Sequence, residues 1–184
     1  MLVARRQFTV QDYHRMRDVG IFAEDDRVEL LDGEVVLMSP IGPLHAAIVR
    51  RLNTILSQAA GHQFMLSVQD PIQLSDLSEP QPDLALLHYR ADYYAASHPQ
   101  PAEIELLIEV SDTSLDYDRE QKLPRYAESG IREVWLVDLS HQQIEQYIDP
   151  ANGSYRTKQT WVHGQTLTSP HLAMLNVRVD DILG

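Results

Sequence analysis

Two acids and a lysine stand out as groups that could do chemistry together. Asp83 opens the apolar stretch Leu84-Ala85-Leu86-Leu87 directly after Pro82, and Glu109 closes the run Ile104-Glu105-Leu106-Leu107-Ile108. If the two stretches pair as antiparallel strands, the start of the first lies beside the end of the second, and the carboxylates become neighbours. Two carboxylates about 4 Å apart repel by roughly 4 kcal/mol at an effective dielectric of 20, so the pair calls for a proton or a cation. Mg²⁺, or Mn²⁺ in its place, takes oxygen ligands and keeps open positions for a phosphate and a water. Lys122, one of only two lysines, could set an ammonium against a pentavalent phosphate. The bland alternatives are a turn residue for Asp83, a solvated strand-end charge for Glu109 and a solvated helix face for Lys122.

The elements that must position these residues are readable from periodicity. Thr9 and Asp12 form a capping-box pattern opening a short polar helix that stops near Gly20. Val28 to Met38 predicts a hairpin turned on Asp32-Gly33. From Pro43 to Gly61, apolar residues recur at helical spacing. Phe64 to Leu74 reads as extended and bent at Pro71, and the runs at 83–87 and 104–110 read as buried strands. A second helix within Asp116 to Ser129 precedes the strand Val134-Trp135-Leu136-Val137, which makes a parallel crossover with the strand at 104–110. Pro124 favours a first helical turn, which puts Lys122 at or before the helix start. Strands near Ile144 to Ile148 and Tyr155 to Val162 turn on Asn152-Gly153.

Composition removes several classes. The 184 residues, 43% apolar and 23% charged, suit one soluble globular domain. Fifteen basic against 27 acidic residues leave a net charge of −12, and residues 61–120 hold two basic and 12 acidic residues. A broad basic nucleic-acid surface is therefore excluded, and only Arg50, Arg51, Arg90, Arg119 and Arg125 offer themselves to a phosphate backbone. No cysteine is present, which removes disulfides, zinc ribbons and thiol nucleophiles. Arg5-Arg6 is followed by charged residues where an export signal needs an apolar stretch, and no run spans a bilayer, so a cytoplasmic, non-membrane protein is expected. Dinucleotide, P-loop and serine-elbow motifs are missing, and none of the eight histidines stands at His-x-x-x-His spacing.

Taken together, Val28-Glu29-Leu30-Leu31-Asp32-Gly33-Glu34, Met38-Ser39-Pro40, His45, Pro82-Asp83, Ile108-Glu109-Val110, Ser111, Asp118, Lys122, Tyr126-Ala127, Gly130 and Glu133-Val134-Trp135-Leu136-Val137-Asp138 resemble the Uma-two family of restriction-endonuclease-like proteins. The resemblance runs from about residue 7 to the C-terminus. It implies the fold of the PD-(D/E)xK nuclease superfamily: an α/β fold with a mixed sheet and a core of helix, three strands, helix and strand, the order periodicity also gives. One domain over 1–184 is expected, with a helix and hairpin in 1–40, the nuclease core in 41–139 and C-terminal strands forming a ribbon in 140–184.

By the same resemblance Asp83 is the metal-binding aspartate and Glu109 the acid of the (D/E)xK motif. Ser111 stands where the superfamily has lysine, and the family's lysine sits on the following helix, here Lys122. Glu29 matches an acid ahead of the Asp-Gly hairpin and is either a further metal ligand or an exposed strand residue. His45, Ser111 and Gln73 fall to the substrate side; His45 could instead cap its helix, and Gln73 could simply point outward. The implied activity is Mg²⁺- or Mn²⁺-dependent hydrolysis of DNA phosphodiester bonds by a homodimer. The alternative is a nuclease-fold module with little or no turnover, binding nucleic acid or protein as a homo-oligomer.

Overall fold

Thr9 starts the first helix as its spacing predicts. In the computed structural model, which describes residues 5–23 and 25–184, its hydroxyl accepts from the Asp12 N–H while the Asp12 carboxylate accepts from the Thr9 N–H, opening α1 (Val10–Asp18). Strands β1 (Val28–Leu31) and β2 (Glu34–Leu37) form the expected hairpin. Asp32 and Gly33 both have positive φ, 51° and 76°, as the turn requires. Gly33 also tolerates no side chain, because a Cβ would fall 2.5 Å from that of Gln7.

The core elements follow in the predicted order. Helix α2 (Pro43–Ala60) precedes β3 (Phe64–Val68), β4 (Leu84–His88) and β5 (Ile104–Ser111). The third strand is shorter than the expected extended segment: Gln69 has a φ of 56° and ends it, and residues 70–74 run on outside the sheet. After β5 come α3 (Leu115–Tyr117), a π turn over Asp118–Lys122 and α4 (Leu123–Glu128), all with helical backbone at their junctions. Lys122 therefore lies inside a helical stretch, not at its start. The Leu123 N–H bonds to the Asp118 carbonyl five residues back. Pro124 has no N–H for the usual bond to residue 120, and a widened turn just before it relieves the clash of its ring.

The remaining strands are β6 (Glu133–Asp138), β7 (Gln143–Ala151), β8 (Ser154–Val162), β9 (Thr166–Thr168) and β10 (Asn176–Arg178). The chain then closes on α5 (Val179–Leu183), a helix where only strands were expected; five residues are too few for a periodic signal. Its end is tied down by Arg51, whose guanidinium donates to the carbonyls of Leu183 and Ile182 at 2.7 and 3.2 Å.

Six strands make one mixed sheet in the order β3-β4-β5-β6-β7-β8. Only β5 and β6 are parallel. Both faces are covered, which is why β5 is apolar on both sides. Leu84, Leu106, Ile108, Trp135 and Val137 pack against Ile48, Leu52 and Leu56 of α2 and against Val179 and Ile182 of α5. Ala85, Leu87, Leu107, Val134 and Leu136 pack with Leu123 and Tyr126 of α4. Within the first layer, Glu133 is fully buried and accepts from Trp135 Nε1, Gln146 Nε2 and Ser169 Oγ.

The α2 layer sets a stability test. Leu52 is fully buried and Leu44, on the same helix, is half exposed. Chemical denaturation should show Leu52→Ala losing about 2–5 kcal/mol, with Leu44→Ala changing stability by less than about 0.5 kcal/mol.

Candidate active site

The register of β4 against β5 decides where the acids meet. Leu84 pairs antiparallel with Ile108, so Asp83, one residue ahead of β4, lies beside the Glu109 end of β5. Side-chain alternation then puts Asp83 and Glu109 on the face covered by α4, with Ala85 and Leu107. Asp83 Oδ2 accepts from the Val110 N–H at 2.8 Å, a bond that locks the two strand ends together. Its Oδ1 accepts from Gln69 Nε2 at 3.1 Å and lies 2.8 Å from His45 Nε2. Burial alone would raise the Asp83 carboxyl; the hydrogen bond and charge of His45, with the Val110 and Gln69 donors, outweigh it and hold the group below its ordinary value.

The helix brings the cation. Lys122 is 4% exposed, and its Nζ sits 3.2 Å from Glu109 Oε1 and 3.1 Å from Glu29 Oε2. Burial disfavours the ammonium, but Glu109, Glu29 and Asp118 together hold its pKa above the ordinary value. Tyr126, one helical turn on, donates its hydroxyl to the same Glu109 Oε1, leaving Oε2 without a partner among the described residues. Burial dominates at Glu109; Lys122 pulls its pKa down while Asp118 and Asp83 push it up, and the result is about 8. Asp118 accepts from Ser111 Oγ at 2.7 Å and Ser114 Oγ at 2.6 Å.

The arrangement brings together Asp83, Glu109, Lys122, Glu29 and His45, all of which line one cavity of 390 Å³. Glu29 was expected to be a metal ligand or an exposed residue; it is buried, and both oxygens are occupied, Oε1 by the Tyr117 hydroxyl and Oε2 by Lys122 and the Gln81 N–H. That makes it the counter-ion of Lys122. His45 reaches Asp83 and does not cap its helix, whose N-cap is Gly42. Ser111 faces Asp118 and is fully buried, out of reach of a substrate. Gln73 is not brought to the cavity; its N–H bonds to the Pro99 carbonyl, and Gln69 and Gln81 are the glutamines at Asp83 and Glu29.

The residues fit a hard divalent ion. Five carboxylates, of Glu29, Asp83, Glu109, Asp112 and Asp118, line the cavity with one lysine, one arginine (Arg27) and one histidine, and Glu109 Oε2 has no partner among the described residues. Burial, with the charges of Asp118 and Asp83 added to it, raises Glu109, and a cation held by Asp83 and Glu109 would favour its anionic form.

Strand order and flanking helices define a restriction-endonuclease-like fold. The chain belongs to the Uma2 family, whose model, described as a putative restriction endonuclease, matches residues 10–180. Among solved structures it is similar to a putative nuclease belonging to DUF820 from Anabaena variabilis ATCC 29413, with a TM-score of 0.77, 13% identity, and coverage of 96% of this chain and 97% of that one. At that identity the likeness speaks for the fold alone. No match is found among curated proteins.

Two expectations follow from the site. Lys122→Met strands two buried carboxylates and should cost about 3–5 kcal/mol in urea unfolding, part of which Glu29→Gln in the same chain should restore. Glu109 rises from an ordinary 4.5 to about 8 on folding, so its contribution is complete below about pH 4.5 and lost as pH climbs through about 8. Metal-free protein should accordingly lose stability over that window, and Glu109→Gln should flatten the decline; an identical slope in the variant would refute the assignment.

Proposed function

We propose that the protein is a Mg²⁺- or Mn²⁺-dependent endonuclease that hydrolyses DNA phosphodiester bonds in the Asp83–Glu109 cavity. The observation that carries this reading is the convergence of Asp83, Glu109 and Lys122 from two strand ends and a helix onto one opening. Asp83 and Glu109 would hold the ion, which when bound polarises a phosphoryl oxygen and lowers the pKa of a water. Lys122 holds a fixed positive charge at that point, where the pentavalent phosphate gathers negative charge. His45 and Gln69 fix the rotation of the Asp83 carboxylate, and Glu29 fixes the ammonium. Cleavage of both strands of a duplex would require two copies, so a homodimer is part of the proposal.

One observation favours the reading of a binding module with little turnover. Arg51 is committed to the end of α5, Arg90 to Asp92 and Glu103, Arg119 to Glu145, and Arg125 to Asp32. Of the five candidate phosphate-binding arginines, only Arg50 has no side-chain partner among the described residues. Duplex binding should therefore be weak and salt-sensitive. Among the described residues no helix is long and apolar enough to cross a membrane.

Plasmid relaxation with Mg²⁺ or Mn²⁺ tests the proposal. Asp83→Asn, Glu109→Gln and Lys122→Met should each slow cleavage by about 100-fold or more. Nicking that persists in all three variants would place the activity elsewhere; a wild type that binds the ion without cutting would identify a binding module.

A further inference from the structure

Away from that cavity, three side chains from distant parts of the chain converge: His14 on α1, Glu79 on the stretch paired to β1, and His98 in the loop between β4 and β5. One imidazole nitrogen from each histidine and a Glu79 carboxylate oxygen all lie within 4.8 Å of one another. The Glu79 side chain is buried, and His14 Nε2 stands 2.9 Å from both of its oxygens. The two imidazoles meet edge to face, their centroids 6.2 Å apart.

We propose that His14, Glu79 and His98 form a zinc-binding site separate from the Asp83–Glu109 cavity. Two imidazoles and one carboxylate are the donor set of a borderline-soft ion, whereas Mg²⁺ selects oxygens. Ligands at about 2.0–2.1 Å in tetrahedral geometry stand roughly 3.4 Å apart. Small rotations of two partly exposed imidazoles close the group to that spacing. Glu79 stays in place, since its N–H bonds to the Leu30 carbonyl at 2.8 Å and its carbonyl receives the Leu30 N–H at 3.4 Å.

Among the described residues, the one other cationic side chain paired with the carboxylate is Arg17, 3.8 Å from Oε1. It is half exposed and lies over the Tyr13 ring, so it can turn outward into solvent once a metal ion takes its place beside Glu79. Three protein ligands leave a fourth position for water or a small anion. Glu79 also lines a second cavity of 520 Å³, bounded by Tyr13, Arg17 and Phe22. Gln81 lines both cavities, and Pro80 and Pro82 stiffen the stretch between Glu79 and Asp83. Zinc at Glu79 would thus bind α1 and the His98 loop to the segment that presents Asp83.

Chelator-stripped protein titrated with Co²⁺ should take up one equivalent with the intense visible absorption of four-coordinate cobalt, and Zn²⁺ should displace it. Asp83→Asn combined with Glu109→Gln should leave the band intact. His98→Ala, folded by circular dichroism, should lose it and weaken zinc binding by more than the about 10–100-fold that loss of an outer partner costs. His98→Cys restores a donor and should return the band with a thiolate charge-transfer feature. A wild type without the band, or a band unchanged in His98→Ala, overturns the proposal.

Discussion

One ammonium between two buried carboxylates organises this molecule. Lys122 sits within 3.2 Å of both Glu29 and Glu109, so it joins the N-terminal hairpin, the central sheet and the helix that follows it. Each of those acids would be untenable in the interior alone, since an ion removed from water needs a partner and filled hydrogen-bond positions. Tyr117, Tyr126 and the Gln81 N–H supply the remaining contacts. The hairpin is therefore bound to the core by charge at its inner edge, and by Val10, Tyr13 and Leu30 in a small apolar cluster of its own.

The cavity holds more acids than bases. Asp83 is stabilised as an anion by three donors, whereas Glu109, one strand away, is raised by burial and by its acidic neighbours. Two carboxylates with opposite tendencies in one cavity are the kind of perturbed pair that clusters at functional sites. Much of the strongly acidic middle of the sequence lies here and in local ion pairs, and among the described residues Arg27 is the one arginine that lines the opening.

Much of this was legible in the sequence, and the limits are instructive. Apolar runs flanked by Asp83 and Glu109 sufficed to predict their meeting, because a pairing direction and a pleat leave little freedom. Asp-Gly and Asn-Gly turns and the Thr9–Asp12 cap are local and were readable as such. Asp118, Lys122 and Tyr126, four residues apart, already formed one helical stripe facing Glu109, a signal that would have added Asp118 and Tyr126 to the site. Gln69 could not be told from Gln73, since the strand ends on a positive φ that no residue type announces. His14, Glu79 and His98 are unrelated by any spacing; only the tertiary fold brings them together.

The π turn gives the helix a fragility of a kind that side-chain chemistry does not reveal. It holds one residue more than an α-helical turn would, just where Lys122 must point at the sheet. Winding the same residues as a regular α-helix would give the extra one its full step and swing the two halves of the helix about 100° relative to each other. The lysine would then leave its acids even though every side chain of the site was still encoded. Along this stretch, the winding of the backbone is under as tight a constraint as residue identity.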